Sequence, residues 1–385
     1  MSWNRAKSLT TELSPEPSLM WWLLTGVLMA IVGIVLFLVH AGGLVKGFSD
    51  INIWLVSLMP AGVWLFLLCL RGWLWGKEVD EYQFLQKEAE YAQKEWEVWA
   101  ERYLAIAGSC IFLPDKITVA SLHDELPQQY GLIRKIDYLP DDNSLAEESL
   151  LVLLKGITDA LDQIPSDLPI KVTLVTQLPA AGLIESFTTI WASLFQQRAI
   201  PGDITVTPAF SMDWVEDRLK QPVITVDLIL VMQLCGGESY SDGLAALLMT
   251  TDDVAQKYNL PHPARLLRPM PLVFDNFDDD FRIFLETQTA ACRTSRVLGD
   301  SCGWEKIAAS LMTIGKARGA EWDPAGRQLL ERWCGLPGPA APWLLTALAA
   351  DLVSVSNTSF LTLFSSGEER YISTVTSGSE DEHTG

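Results

Sequence analysis

Apolar positions follow three successive patterns along this chain. The first is two unbroken runs. Residues 19–40 and 51–70 contain no Asp, Glu, Lys or Arg, and each is long enough as a helix to span about 30 Å of hydrocarbon. Trp21 and Trp22 open the first run, Trp54 lies near the start of the second, and Trp73 and Trp75 stand just past its end, the places of interfacial aromatics on membrane helices. Pro60 predicts a kink that a membrane helix tolerates. A cleaved signal peptide is the competing reading of the first run. It is disfavoured by the length of the run and by His40-Ala41-Gly42-Gly43, a poor small-residue cleavage site. Arg5 and Lys7 precede the first run, Arg71 and Lys77 follow the second, and only Lys46 lies between them. The positive-inside rule then puts both termini in the cytoplasm.

The second pattern occupies residues 77–107, which lack proline. There Tyr82, Leu85, Ala89, Ala92, Trp96, Trp99 and Tyr103 recur at three- and four-residue steps. This spacing predicts an amphipathic helix continuing the second run. Its aromatic stripe either packs on its own domain or forms a partner surface.

The third pattern alternates strands and helices. Strands are expected at 109–113, 116–120, 170–177, 203–208 and 223–234, the last apolar enough to be buried on both faces. Helices are expected at 144–164, with Ser144 and Glu147 as a capping box, and at 183–197 and 211–220. The type of 242–249 stays open. Further on, 279–291, 304–316 and 324–334 read as helices, and 352–356, 360–364 and 370–375 as strands. This alternation argues for an α/β layered domain with a largely parallel sheet, and no short-period repeat is visible. The expected organisation is an N-terminal stretch 1–18, a transmembrane hairpin 19–76, a juxtamembrane helix 77–107, an α/β domain 108–376 and a disordered tail 377–385.

Composition narrows the function classes. Hydrophobic residues make up 49% and charged residues 20%, too apolar for disorder and too charged for a polytopic transporter. Residues 1–76 carry a net +1, so the total of −20 leaves −21 on the remainder. A field of that sign repels phosphate backbones and anionic headgroups and suits a basic protein partner. Nucleic-acid binding is set aside. Cys69, Cys110, Cys235, Cys292, Cys302 and Cys334 form no C-x-x-C pair and read as free thiols in a reducing compartment.

Few residues carry a chemical motif. Gly236 to Gly243 follows a buried strand, where α/β folds place their sites. Ser239 there approximates a nucleophile elbow, except that Ser241 takes the place of the final glycine. A triad would draw on His123, His262 or His383, and His262, between two prolines, is the candidate. The alternative is a polar turn. Gly299-Asp300-Ser301-Cys302-Gly303 matches a serine-protease motif in letters only. Asp275, Asp278, Asp279 and Asp280 lack the glycine and spaced glutamate of a calcium loop and read as a solvated helix start. There is no second histidine after His123 for a zincin site, no Walker A and no G-x-G-x-x-G, so no metal, nucleotide or other cofactor is expected.

From about 223 to 375 the order of pieces resembles the thiolase and ketosynthase superfamily. VDLILVMQL, the glycine pair and SDGLAALLMT resemble that family's central strand, turn and following strand. ARLL at 264–267 resembles its next strand, LGDSCGWEKIAASLM at 298–312 its glycine turn before a buried helix, and VSVSNTSFLTLFSSGEERYISTV its closing hairpin. The resemblance implies a layered, thiolase-like domain with a mixed sheet. The family works with a helix-capping cysteine and two basic partners, yet Asp300 stands where one histidine is expected, and no cysteine stands at a strand-to-helix junction of the first half. The WExWAxRYLA-like helix followed by SCIFLPD at 96–115 is similar to accessory proteins of bacterial type VI secretion systems, a resemblance that implies a place at the bacterial inner membrane.

Together these imply a non-enzymatic, membrane-anchored adaptor or chaperone for a secreted effector. The candidate contacts are Trp96, Trp99 and Tyr103 on the helix and Asp275, Asp278 and Asp280 on the acidic loop. Two alternatives stay open: an immunity protein acting through its hairpin, and an acyl-handling hydrolase or thiolase-like enzyme.

Overall fold

The computed structural model describes all residues except 1, 2, 4, 6–9, 44–51, 118–129, 141–143, 222, 324–326 and 379–385. They form two compact units, residues 6–95 and residues 1–5 with 96–385.

In the first unit, α1 (Leu19–Ala41) and the greater part of α2 (Ile53–Glu101) are long and apolar enough to cross a membrane. They meet through small residues. A side chain at Gly33 would strike the carbonyl of Ser57, and one at Gly26 the indole of Trp64. Trp64 Nε1 donates to Thr25 Oγ1 at 3.2 Å. Close backbone approach of this kind holds helices together where lipid supplies no hydrophobic drive. Pro60 lies inside α2.

Helix α2 ends at Glu101, not at 107, because the chain from Tyr103 enters a sheet as β1 (Tyr103–Phe112). Pairing on both sides there outweighs the helical spacing of the side chains. The first half continues through α3 (Leu145–Gly156), α4 (Thr158–Asp162), β2 (Ile170–Thr176), α5 (Leu183–Leu194), β3 (Asp203–Thr207), α6 (Asp213–Lys220), β4 (Val226–Gln233) and β5 (Gly243–Thr251). After α7 (Asp252–Tyr258) come β6 (Ala264–Leu267), β7 (Met270–Leu272), α8 (Phe277–Thr287), β8 (Arg296–Gly299), α9 (Ala308–Ala317) and β9 (Gln328–Leu329). The chain closes with α10 (Leu330–Cys334), α11 (Ala341–Ser356), β10 (Phe360–Ser366) and β11 (Glu369–Ser377).

The strand order is β3-β2-β4-β5-β1-β6-β11-β10-β8-β9, with β7 beside β11. Read outward from the antiparallel seam, where Leu104 faces Leu266, both halves show the same arrangement. Setting β7 aside, the first strand of each half lies at the seam, then the fifth, the fourth, the second and the third. Directions repeat as well. β4 runs parallel to β2 and antiparallel to β5, as β10 does to β8 and β11. The fold is therefore internally duplicated, and the sheet is mixed, not largely parallel. Its edges are β3 and the two-residue β9.

Alternation along the strands sorts side chains into layers. On β4, Leu228, Leu230 and Met232 face a core shared with α3 and α5, while Ile229 and Val231 face α6 and α11. On β10, Leu361 and Leu363 face α8 and α9, while Phe360 and Phe364 turn to the central helices. The order is helices, half-sheet, α6 with α11, half-sheet, helices.

Residues 352–356 belong to α11 and are not a strand. Most of that helix is apolar all round because it lies between the two half-sheets, so it carries no 3.6-residue signal. It is also the buried helix of the second half, whereas α9, which follows the glycine turn, is half-exposed. The expected helix 144–164 breaks at Ile157 into α3 and α4, and 279–291 ends at Thr287 before a 3-10 turn. Residues 304–316 begin as a 3-10 turn before α9. Of the expected helix 324–334, Gln328 and Leu329 form β9 and the rest that is helical is α10. Lys116 ends a 3-10 turn, and most of the expected strand 116–120 lies outside the described residues. Ser377 of the expected tail closes β11.

Candidate functional site

The two central helices meet at their N-termini. Phe210, just before α6, stacks on Trp343 of α11 with ring centroids 4.9 Å apart, and Trp343 Nε1 donates to Phe210 O at 2.7 Å. Trp214 packs edge-on against Trp343 at 5.8 Å. Each helix start is also met by the hairpin of the opposite half. At α11, Gln233 from the end of β4 accepts the amide of Ala340 through Oε1 at 3.1 Å and donates from Nε2 to Ser241 O at 2.8 Å. At α6, the partners come from β11.

That second meeting point carries the polar chemistry. Ser211 Oγ lies 3.3 Å from Tyr371 OH and 3.3 Å from Glu369 Oε2, and Tyr371 OH donates to the same carboxylate oxygen at 2.8 Å. The amide of Asp213 donates to Ser211 Oγ at 3.2 Å. Burial pushes the Tyr371 phenol well above its usual value, and nearby Glu369 works in the same direction, so it stays a neutral donor. Ser211 is half-buried and Glu369 exposed, which leaves the trio open to solvent through the carboxylate. Chemically it comprises a hydroxyl nucleophile, a carboxylate base within reach, and the positive end of a helix. None of the three was singled out from the sequence. The available signal was the expected helix 211–220 opening on a serine shortly after the strand expected at 203–208.

The sequence-derived triad is not assembled. Ser239 lies in the β4–β5 turn, beyond the end of β5 where Leu244 faces Phe112. His262 stacks on Tyr103 at 5.9 Å and accepts from Arg265 Nε at 3.2 Å. Tyr103 sits at the opposite end of the ladder, beside Leu104, which faces Thr251. At about 3.3 Å per residue the two ends are some 25 Å apart. His123 and His383 lie outside the described residues. Ser241 is buried, accepting from Arg134 N at 2.9 Å and donating to Leu132 O at 3.2 Å. A small cavity of about 200 Å³ beside this turn is lined by residues including Lys135, Asp137, Cys235 and Asp242.

Burial raises the thiols of Cys110 (to about 12), Cys292, Cys302 and Cys334, so none of these four is a ready thiolate. Asp300 is fully buried. It accepts from Ser365 N and Oγ and from Trp304 Nε1, and burial pushes its carboxyl up to about 6.

The proposed contact residues separate. Trp96 is half-exposed, with its ring edge-on to Trp99 at 5.2 Å. Trp99 is wedged between Trp3 and the guanidinium of Arg268. Tyr103 is buried in β1 under Arg265, so it lies on no helical stripe. Asp275 and Asp278 are exposed. Asp280 is instead 1% exposed and accepts from Val273 N and Asn276 Nδ2 at 3.3 and 3.1 Å. Its carboxylate ties down the turn before α8.

No family model matches the sequence, and a search of the curated proteins finds no match. Solved structures do. The chain is similar to a type II acyl-carrier protein in complex with its ketosynthase, at 11% identity and a TM-score of 0.48, over 72% of this chain and 99% of that one. It is similar to an oxazolomycin ketosynthase domain of Streptomyces albus, at 10% identity and 0.48, over 72% and 95%. A third is 3-oxoacyl-[acyl-carrier-protein] synthase III of Aquifex aeolicus, at 11% and 0.44, over 71% and 99%. The expectation of a non-enzymatic protein is thereby corrected, because these are synthases by name. The likeness is one of fold alone, and none of the three is a secretion component.

Proposed function

We propose that this chain is a membrane-anchored acyl-transfer enzyme with Ser211 as nucleophile. The observation that supports it most is the pair of hydroxyls, Ser211 and Tyr371, converging on one oxygen of Glu369 at the start of a central helix. In this reading Glu369 takes the proton of Ser211 as Oγ bonds to the carbonyl carbon of an ester or thioester. The helix N-terminus and the amide of Asp213 favour the developing negative charge. As the bond to the alcohol or thiol breaks, the leaving group collects the proton from Glu369. Water or a second acceptor then takes the acyl group by the reverse path. Tyr371 OH holds the carboxylate in place. The helices α1 and α2 are taken as spans of a bacterial inner membrane, with both termini in the cytoplasm.

The test is labelling of the detergent-solubilised full chain with a fluorophosphonate probe. Labelling lost in Ser211→Ala, lowered about 10-fold or more in Glu369→Gln, and kept in Ser239→Ala is the expected result. Absence of labelling in a folded wild-type protein overturns the assignment.

A second role, capture of a protein partner, is favoured by half-exposed Trp96 and by exposed Asp275 and Asp278. Alanine at Trp96 that leaves every co-purifying protein in place would remove that face from consideration.

A further inference from the structure

Two residues that precede the first apolar helix belong to the soluble unit. Trp3 is 8% exposed. Its ring sits edge-on to Trp99 at 5.1 Å and tilted over Phe284 at 5.8 Å, within the core of α8 and α9. Arg5 turns back, its amide donating to Trp3 O at 3.0 Å. Its guanidinium donates to Thr287 Oγ1 at 3.3 Å and lies 3.5 Å from the Glu286 carboxylate. The seat is built from rigid pieces. Trp99 is backed by Arg268 at 4.1 Å, and Arg268 is held by Glu216 at 2.7 Å. The neighbouring Ala100 is fully buried, and its carbonyl accepts from Gln288 Nε2. An aromatic ring with a basic residue two positions on fits this slot through ring packing and charge.

We infer that this N-terminal tip is a latch, seated in a groove between the end of α2 and the end of α8, and that it fixes both feet of the apolar hairpin to the same face of the membrane. Residues 6–18 include Lys7, Glu12, Glu16, Pro15 and Pro17. Such a stretch cannot cross hydrocarbon in extended form, because its backbone groups would go unsatisfied. The segment between Arg5 and α1 therefore does not cross, and both feet of the hairpin meet one face of the membrane. This rests on reading α1 and α2 as spans and is independent of Ser211.

The test has two arms. In detergent, trypsin cleavage after Arg5 is followed by mass spectrometry on the full chain. It is expected to be slow in the wild type, about 10-fold or more faster in Trp3→Ala, and close to wild type in Trp3→Phe, which keeps the ring packing. Equal rates for wild type and Trp3→Ala overturn the latch. In cells, an impermeant maleimide probes Ser2→Cys and the exposed Cys235. Labelling of both from one face is expected, and labelling from opposite faces overturns the proposal. Carbonate extraction is run alongside. If it strips the protein from membranes, the anchor reading fails and the trypsin arm alone decides the latch.

Discussion

Asp300 shows how one buried carboxyl tunes the response of the fold to pH. Burial raises it to about 6 against the pull of its three hydrogen-bond donors, and Asp351, half-buried beside Ser109, is likewise raised to about 6 by desolvation. Both native values exceed the ordinary aspartate value of about 3.9, so the folded state binds these protons more tightly than the unfolded chain. Their contribution is fully present below about pH 4, falls as the pH rises to about 6, and is flat beyond. Each group accounts for about 3 kcal/mol at most over that interval. Urea unfolding of the full chain in detergent at pH 4.5 and 7 is expected to show stability falling with pH, and Asp300→Asn is expected to remove about half of the fall. An unchanged slope in the variant sinks this account.

At the scale of elements, the turn that ends α10 is an exacting piece of backbone, packed against Leu132 and Ser241. Gly335 has φ 83°, and a side chain on it would strike Leu132 O and Ser241 Oγ. Gly335→Ala is expected to cost about 2 kcal/mol or more, through left-handed strain and displacement of the segment at Leu132. Denaturant midpoints of variant and wild type measure it, and a shift below about 0.5 kcal/mol would show that the turn relaxes freely.

Much of the element list was legible because it rests on local pattern. The two apolar runs, β2, β4, β10, β11 and the start of α6 all follow from hydrophobic spacing and turn residues, and β6 from the family resemblance. What was not legible has a common cause. Tyr103 belongs to a helix by spacing and to a strand by its partners on β5 and β6, which are distant in sequence. The central stretch of α11 gives no period because both of its sides are buried. The duplicated strand order leaves no repeat in the letters, since two halves can share a topology while their side chains serve different cores. The candidate trio was missed for a related reason. Ser211 lies 160 positions from Tyr371, and only the crossing of each helix onto the opposite hairpin brings them together.

That crossing governs the whole soluble unit. Neither half closes its central core alone, because α6 packs with α11 and each helix start is finished by the other half's hairpin. Calorimetry of the full chain in detergent is expected to show one cooperative transition for this unit, and a chain truncated after 262 is expected to give no folded first half. Two separate transitions, or a soluble folded fragment, would show that the halves are independent.

The sheet edges have a different consequence. A strand border open to solvent meets other copies of the same chain wherever the protein is concentrated. Exposed strand edges would then act as templates for chain-to-chain pairing. Here one border is two residues long and runs straight into α10, and the other is five residues between Pro201 and Pro208. Prolines at such borders deny a neighbour its ladder of hydrogen bonds. Both borders are therefore poor templates for pairing between copies.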